Sequence, residues 1–441
     1  MARVTDPVDL AREPVGARSG RTLVVTNDFP PRTGGIESFV LAMAQRMPAD
    51  QVVVHTARQD GDRAHDAALP FEVVRDRSRL MVPTPAIARR SAEVARAHGC
   101  DRVWFGAAAP LGLMAPTLRA AGVERAVATT HGHEIWWSSL PGSRRALRAI
   151  GERTDVLTYL GEYCRSRIAR PLTPAARARM VQATPGVDDA SFRPGAGGEQ
   201  VRAEHGLGDR PVVVCVSRMV ARKGQDVLVQ ALPEIRRRVP GAALLLVGDG
   251  PHRAAVERLV DRLGLRDDVV LAGRVPWQRT PAFYDAGDVF CMPTRTRLGG
   301  LEPEALGICY LEAAATGLPV VAGDSGGAPD AVLDGENGYV VDGRSVAQVA
   351  DRVAGLLADR EARRAVRTPG PGLGGGAVAV GRPRRPAAAP ARRSVGGLTR
   401  RLEDDTPTGS SAAATSGSDH ASGPPAATAS ATSARHSQYW L

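Results

Sequence analysis

"RTLVVTNDFPPRTGGIESF", residues 21–39, decides the fold. It opens as a short β-branched run ended by turn chemistry at Asn27. Pro30 and Pro31 stiffen the loop that follows, and Gly34 and Gly35 leave backbone N–H groups uncovered. Helical spacing begins near Ile36. A strand, a Gly-rich loop and a helix form the repeating unit of a doubly wound α/β sheet.

The same unit recurs downstream. "QVVVHTA", "FEVV", "RVWFGAA", "RAVATTHG", "DVLTYL" and "RMVQATPG" read as strands, and 36–47, 84–98, 110–121 and 162–170 carry helical spacing. Strands alternating with helices predict a parallel sheet covered on both faces. Residues 186–210 are rich in Gly and charge and read as linker. A second series then opens with "PVVVCVSR" and continues with "AALLLVGDG", "VVLAGRV", "DVFCMP", "PVVAGD" and "GYVVDG". Helices are expected at 224–238, 251–263, 277–286, 304–316 and 346–358. The expected organisation is an N-terminal extension at 1–20, a first domain at 21–195, a linker at 196–210, a second domain at 211–366 and a tail at 367–441. Ligands bind beyond the carboxyl ends of such strands, so two facing domains place a site in the cleft between them.

Composition narrows the function classes. The apolar fraction of 43% supports real cores, whereas aromatics at 4% leave aliphatic side chains to build them. The five cysteines are scattered, odd in number and never in a CxxC, which argues against a disulfide framework or a thiolate zinc site and for a reducing compartment. Residues 1–20 alternate charge, Pro and Gly without the apolar core of a signal peptide, and they are expected to be disordered. No window approaches the ~18 apolar residues of a membrane span. Any lipid contact is therefore expected from the membrane surface.

The net charge is +10, of which +5 comes from nine arginines and four acids in 367–441. No basic stripe interleaved with aromatics is present, so nucleic acid is not expected as a partner. A mild attraction to anionic phosphates or anionic lipid fits the charge. The tail itself is Gly, Pro, Ala, Arg and Ser without periodicity. It reads either as disordered or as the product of a one-base frameshift in a GC-rich gene. With permissible synonymous codons, the neighbouring frame from about residue 367 can encode GRRARAWVEARWRWDGLAARLRRLLAGR, a tryptophan-bearing amphipathic helix.

Four stretches carry candidate chemistry. The Gly34–Gly35 pair at a helix start can accept an anion such as a diphosphate, or it is an ordinary βα turn. In "SRMVARKGQD", residues 217–226, Arg218 and Lys223 stand at a strand's carboxyl end. There they can neutralise a departing diphosphate, or they are solvated surface cations. "TTHGHEIWW", residues 129–137, sets His131, His133 and Glu134 near the cleft. This HxHE resembles a metal cluster but has no third ligand group elsewhere, so a sugar contact or a structural histidine is the expected role. "GLEPEALGICYLE" carries Glu304 and Glu312 eight residues apart. On one continuous helix they would point about 80° apart, so each would meet a different part of an extended ligand. Leu306, Gly307 and Ile308 can offer backbone N–H groups at the helix N-terminus, which would put Glu304 in the loop before it and Glu312 further along the helix. No DxD lies near these loops, so no metal and no cofactor is expected.

Together these stretches resemble the large retaining glycosyltransferase family of the GT-B fold marked by an E-x7-E motif. Within it, "VTNDFPPRTGGIESF", "WFGAAAPLG", "THGHEIWWSSLPGSR", "DVLTYLGEYCRSRI" and "LGICYLEAAATGLPVVAGDSGGAPDAV" are similar to the actinobacterial GDP-mannose-dependent phosphatidylinositol monomannoside α-1,6-mannosyltransferases, from about residue 21 to 366. The resemblance implies an α/β GT-B architecture of two Rossmann-like domains facing across a cleft, with the acceptor on the first and the donor on the second. It implies that Arg218 and Lys223 hold the donor's diphosphate, helped by Gly34 and Gly35. Glu312 would accept from the ribose, Glu304 and the backbone of 306–308 would hold mannose, His131 would contact it near the reacting centre, and Arg274 and Val275 would touch guanine. The leaving diphosphate would take the acceptor's proton, so no protein nucleophile is required. The implied partners are GDP-mannose and an anionic glycolipid at the inner face of the cell membrane, with the protein cytoplasmic and peripheral. Three departures stand out: Ala305 occupies a position where the branch has glycine, "RLGGLEPE" is unusual, and the tail replaces a helix that crosses back to the first domain. Another donor or acceptor, or sugar-nucleotide binding without turnover, are the competing readings.

Overall fold

The computed structural model describes residues 20–32, 34–359 and 361; the expectations for 1–19 and for 367–441 lie outside them. Seven strands form a first parallel sheet: β1 (Arg21–Thr26), β2 (Val52–Thr56), β3 (Glu72–Arg75), β4 (Cys100–Phe105), β5 (Arg125–Thr129), β6 (Val156–Tyr159) and β7 (Met180–Gln182), in the order β3-β2-β1-β4-β5-β6-β7. Six form a second: β8 (Val212–Val216), β9 (Ala243–Val247), β10 (Val269–Gly273), β11 (Val289–Met292), β12 (Val320–Gly323) and β13 (Gly338–Val341), in the order β10-β9-β8-β11-β12-β13. All pairs are parallel, with Leu23 opposite both Val53 and Val103. Each apolar run of the sequence became one of these strands.

The central strands are apolar on both faces because helices cover both. Leu23, Val24 and Val25 of β1 and Val212, Val213 and Val214 of β8 are fully buried. Strand order reverses beside β1 and beside β8, and the crevices this leaves open lie at the carboxyl ends. The loop 27–34 and the turn 217–224 leave β1 and β8 at those ends.

Several elements differ from expectation. The helical stretch 110–121 divides into a 3-10 turn, Leu111–Met114, and a short helix, Ala115–Arg119. Pro116 has no N–H to continue the ladder, which favours a break there. The helix expected at 304–316 spans only Ile308–Ala315, because Gly307 sits at φ 82 and ends the extended segment before it. Glu304 therefore lies in the loop before it, as the reading of 306–308 as the helix start expects. Residues 196–210, expected as a linker, carry the helix Gly198–Glu204. The Asp285 carboxylate accepts from the N–H groups of Gly195 and Gly198 at 2.9 and 2.8 Å, while Val201 and Leu207 are buried. The apolar pair hidden among the charges is what packs this segment down. The last long helix, Val346–Ala358, packs on the helix Gln225–Arg238, with Val349, Ala350, Val353 and Ala354 buried.

Candidate active site

The second domain's half of the site begins where β8 ends. A 3-10 turn, Ala221–Lys223, leads through Gly224 into the helix Gln225–Arg238. Gly224 takes φ 79, and a Cβ there would overlap the carbonyl of Pro293, so only glycine lets the chain pass. Gln225 Nε2 donates to Ser217 Oγ at 2.9 Å and to the Arg218 carbonyl at 3.2 Å, tying the helix start to the strand end. Lys223 is nearly buried, and its Nζ lies 2.8 Å from Glu304 Oε2. Arg222 Nη1 donates to the same oxygen at 2.6 Å. Burial pushes the Glu304 carboxyl up, but the charges of Lys223 and Arg222 outweigh it and hold the group below its ordinary value. The sequence reading missed Arg222. Its one signal was its place beside Lys223.

Arg218 is half-buried, and among the described residues its guanidinium has no carboxylate partner. Two cations thus share one carboxylate at this strand end, and a third, Arg218, stands there without one. A buried cluster left so positive is suited to an anionic ligand. The N–H groups of Leu306, Gly307 and Ile308 open the helix Ile308–Ala315 and have no hydrogen-bond acceptor among the described residues. Glu304 is held from its backbone as well: its N–H donates to Ser325 Oγ at 3.1 Å and its carbonyl accepts from Gly327 at 2.8 Å.

Glu312 stands apart from this cluster. Its Oε2 accepts from the Tyr284 hydroxyl at 2.7 Å, and burial raises its pKa against the opposing effects of that hydrogen bond and of Lys223. The two glutamates therefore occupy different environments, one ion-paired and one bonded to a neutral phenol. Arg274 is exposed and Val275 half-buried just beyond β10, the edge strand next to β9. They flank the strand end without joining the cation cluster.

The first domain's half is built from two loops. Arg32 bridges carboxylates, with Nε on Glu37 Oε1 at 2.6 Å and Nη2 on Asp28 Oδ1 at 2.7 Å. Gln59 holds the same loop, donating to the Phe29 carbonyl and accepting from the Arg32 N–H, each at 2.9 Å. Gly34 opens the helix Gly35–Gln45, and a Cβ on Gly35 would meet nothing within 4 Å. In the second loop His131 Nε2 donates to the Gly106 carbonyl at 2.6 Å, which leaves Nδ1 as the free acceptor. Burial lowers its pKa to about 4, so the ring is neutral near neutral pH. Glu134 is fully buried; it accepts from the His131 N–H at 3.0 Å and faces His133 Nε2 at 3.2 Å. Its carboxylate is thus engaged within the loop, and among the described residues no His, Cys, Asp and Glu group has a metal-holding arrangement.

The two halves come together beside His131 and Glu304. A Cβ built on Gly132, at φ 93, would overlap the methyl group of Ala305. Cys164 Sγ donates to the Ala305 carbonyl at 3.2 Å. His131 and Glu304 are each one residue from this contact, so residues far apart in sequence line one cleft. A cavity of about 490 Å³ among Arg119, Glu152, Asp155 and Arg179 lies at the opposite, amino-terminal end of β6.

Compared with known proteins, residues 33–191 match the family described as Glycosyltransferase Family 4, and residues 198–371 match Glycosyl transferases group 1. The chain is 48% identical over 342 residues to the GDP-mannose-dependent alpha-(1-6)-phosphatidylinositol monomannoside mannosyltransferase of Mycolicibacterium smegmatis, covering 76% of this chain and 89% of the relative. It is 42% identical over 346 residues to the GDP-mannose-dependent monoacylated alpha-(1-6)-phosphatidylinositol monomannoside mannosyltransferase of Corynebacterium glutamicum, covering 77% and 90%. Among solved structures, Anabaena Alr3699/HepE in complex with UDP superposes with a TM-score of 0.65 at 19% identity, over 79% of this chain and 92% of that one. That likeness concerns the fold alone.

Proposed function

The chain belongs to the GT4-type glycosyltransferases of the GT-B fold, and from that premise we propose that it transfers mannose, with retention, from GDP-mannose to a phosphatidylinositol mannoside. The observation that carries this reading is the cleft contact between Ala305 and Gly132, which sets the Lys223–Glu304–Arg222 cluster opposite His131.

In this reading the donor's diphosphate lies against Arg218, Lys223 and Arg222, with the free N–H groups at 306–308 and the Gly34–Gly35 loop beside it. Glu304 keeps two of the cations ordered while no anion is bound, and then shares them. Mannose rests on Glu304 and the following backbone, the ribose on Glu312, and guanine near Arg274 and Val275. The bond from the anomeric carbon to phosphate oxygen breaks as the bond to the acceptor oxygen forms. The acceptor's proton passes to the leaving diphosphate on the same face, and the cations stabilise the charge that builds there. His131, neutral and committed through Nε2, accepts from a mannose hydroxyl at Nδ1.

The acceptor is a lipid headgroup. Among the described residues no helix is long and apolar enough to cross a membrane. Leu80, Val82 and Leu140 are exposed in connections leaving the carboxyl ends of β3 and β5, with exposed Arg144 and Arg145 following Leu140. These residues support peripheral attachment to the anionic inner face of the cell membrane. Radiolabelled GDP-mannose, incubated with the protein and a membrane lipid extract, should yield a mannolipid heavier by one hexose. Label transfer from UDP-sugars but not from GDP-mannose would overturn the donor assignment. The cation cluster takes the role a metal plays elsewhere, so EDTA should leave the rate within about twofold; recovery of a lost rate by added divalent cation would show that charge stabilisation needs a metal.

A further inference from the structure

We propose that Asp330 is a positioning residue that holds the two halves of the active site in register. Its carboxylate sits on the second domain and grips the start of the first-domain helix Glu162–Ile168. Oδ2 accepts from the Tyr163 N–H at 2.9 Å, and the Glu162 N–H lies near enough to favour the ionised carboxylate. The opening N–H groups of a helix lack internal partners, and here a side chain from the other domain supplies them.

Each end of this link leads to a side chain proposed above to hold the mannose. Asp330 lies in the 3-10 turn Ala328–Ala331, and its N–H donates to the Gly327 carbonyl at 3.0 Å. Gly327 in turn donates to the carbonyl of Glu304, and a Cβ on Gly326 or Gly327 would overlap the backbone of residues 304–305. The stretch "SGGAPD", 325–330, is therefore seated directly on the loop that carries Glu304. On the other side the gripped helix follows β6. The Thr158 carbonyl in that strand accepts from both the N–H and the hydroxyl of Thr130, the residue before His131. Fixing the helix fixes the His131 loop. Gly161 supports the assignment. Its backbone is extended at φ −150, ψ 178, a conformation open to any residue, yet a Cβ there would fall 2.5 Å from Asp330 Oδ2. Glycine is there for the room it leaves the carboxylate.

Cys164 reports on the link without depending on turnover. It is buried against the Ala305 carbonyl across the cleft, and burial pushes its thiol up to about 12, so it is inert while the halves are engaged. Iodoacetamide labelling, read peptide by peptide, should be about tenfold faster at Cys164 in Asp330→Ala and in Gly161→Ala than in the unaltered protein, while buried Cys100 keeps its rate. Asp330→Asn retains an acceptor oxygen and should fall between. The catalytic arm rests on the mannosyl transfer proposed above: kcat should fall about tenfold or more, with GDP affinity held within about twofold, because the diphosphate cations belong to the second domain alone. Unchanged Cys164 labelling in both folded variants would overturn the proposal. So would a matching rise at Cys100, or GDP affinity lost in step with kcat. If the unaltered protein transfers no mannose, the transfer reading fails and the labelling alone decides the role of Asp330.

Discussion

The two rims of the cleft handle charge in opposite ways. On the first domain, acids prevail: Asp28, Glu37 and Glu134 are answered by Arg32 and His133, and Glu37 Oε2 is buried without a hydrogen-bond partner among the described residues. Burial raises the pKa of Asp28 against the pull of Arg32 and His133. On the second domain, cations prevail: Arg222 and Lys223 share the one carboxylate of Glu304, and Arg218 at the same strand end has no carboxylate partner among the described residues. A rim with spare carboxylate oxygens suits hydroxyl donors, and a rim with spare positive charge suits an anion. The contrast supports the proposal that the sugar diphosphate lies against the cations of the second domain while the acceptor approaches from the first.

Cutting the positive rim should have the largest effect. Lys223→Ala or Arg218→Ala should lower kcat/KM for GDP-mannose by about 10²–10³, equivalent to about 2–4 kcal/mol of lost transition-state stabilisation. Near-normal kcat/KM in either variant would erase the charge asymmetry as a functional feature. The acidic rim should respond differently. Arg32→Ala leaves Asp28 and Glu37 without their bridge, and it should cost about 1–3 kcal/mol in denaturant unfolding while GDP affinity stays unchanged. Loss of GDP affinity there would mean that the Gly34–Gly35 loop, rather than the second-domain cations, carries most of the diphosphate binding.

A smaller effect concerns pH. His131 in the folded protein titrates at about 4, against an ordinary 6.5. The folded state therefore takes up this proton later than the unfolded chain does. The stability contributed by neutral His131 is complete above pH 6.5 and is lost as the pH falls towards 4. The profile of kcat/KM should show no inflection near 6.5 that depends on His131. An inflection removed by His131→Gln would show an imidazolium in the working enzyme and would weaken the assignment of net positive charge to the other rim. The smallest change belongs to Arg274→Ala. Exposed and outside the cation cluster, it should raise the KM for GDP-mannose by about threefold or less.

Much of the fold was legible in advance. Thirteen apolar runs became thirteen strands because a parallel strand covered on both faces must be apolar throughout, a property visible within a few neighbouring residues. The candidate loops were legible for the same reason: Gly, Pro and charge gather where a strand ends. The helix at 198–204 was not, because its two apolar anchors are spread among five charged residues across 198–210 and its cap, Asp285, comes from far along the chain. The start of the helix at Ile308 was legible only in part: the glycine at 307 marks an opening of N–H groups at 306–308, whereas the apolar spacing of 304–316 extends the helix too far back.

The sequence by itself determined two doubly wound domains, the strand ends at which ligands gather, and the residue types on each rim. Those are short-range properties, set by backbone preferences and by apolar periods within one element. Only the tertiary structure decided that Arg222 shares Glu304 with Lys223, that Ala305 rests on Gly132, and that Asp330 grips the helix at Tyr163. Partners this far apart in the chain meet through the packing of whole domains, and no local pattern encodes which side chains that packing brings within a hydrogen bond of one another.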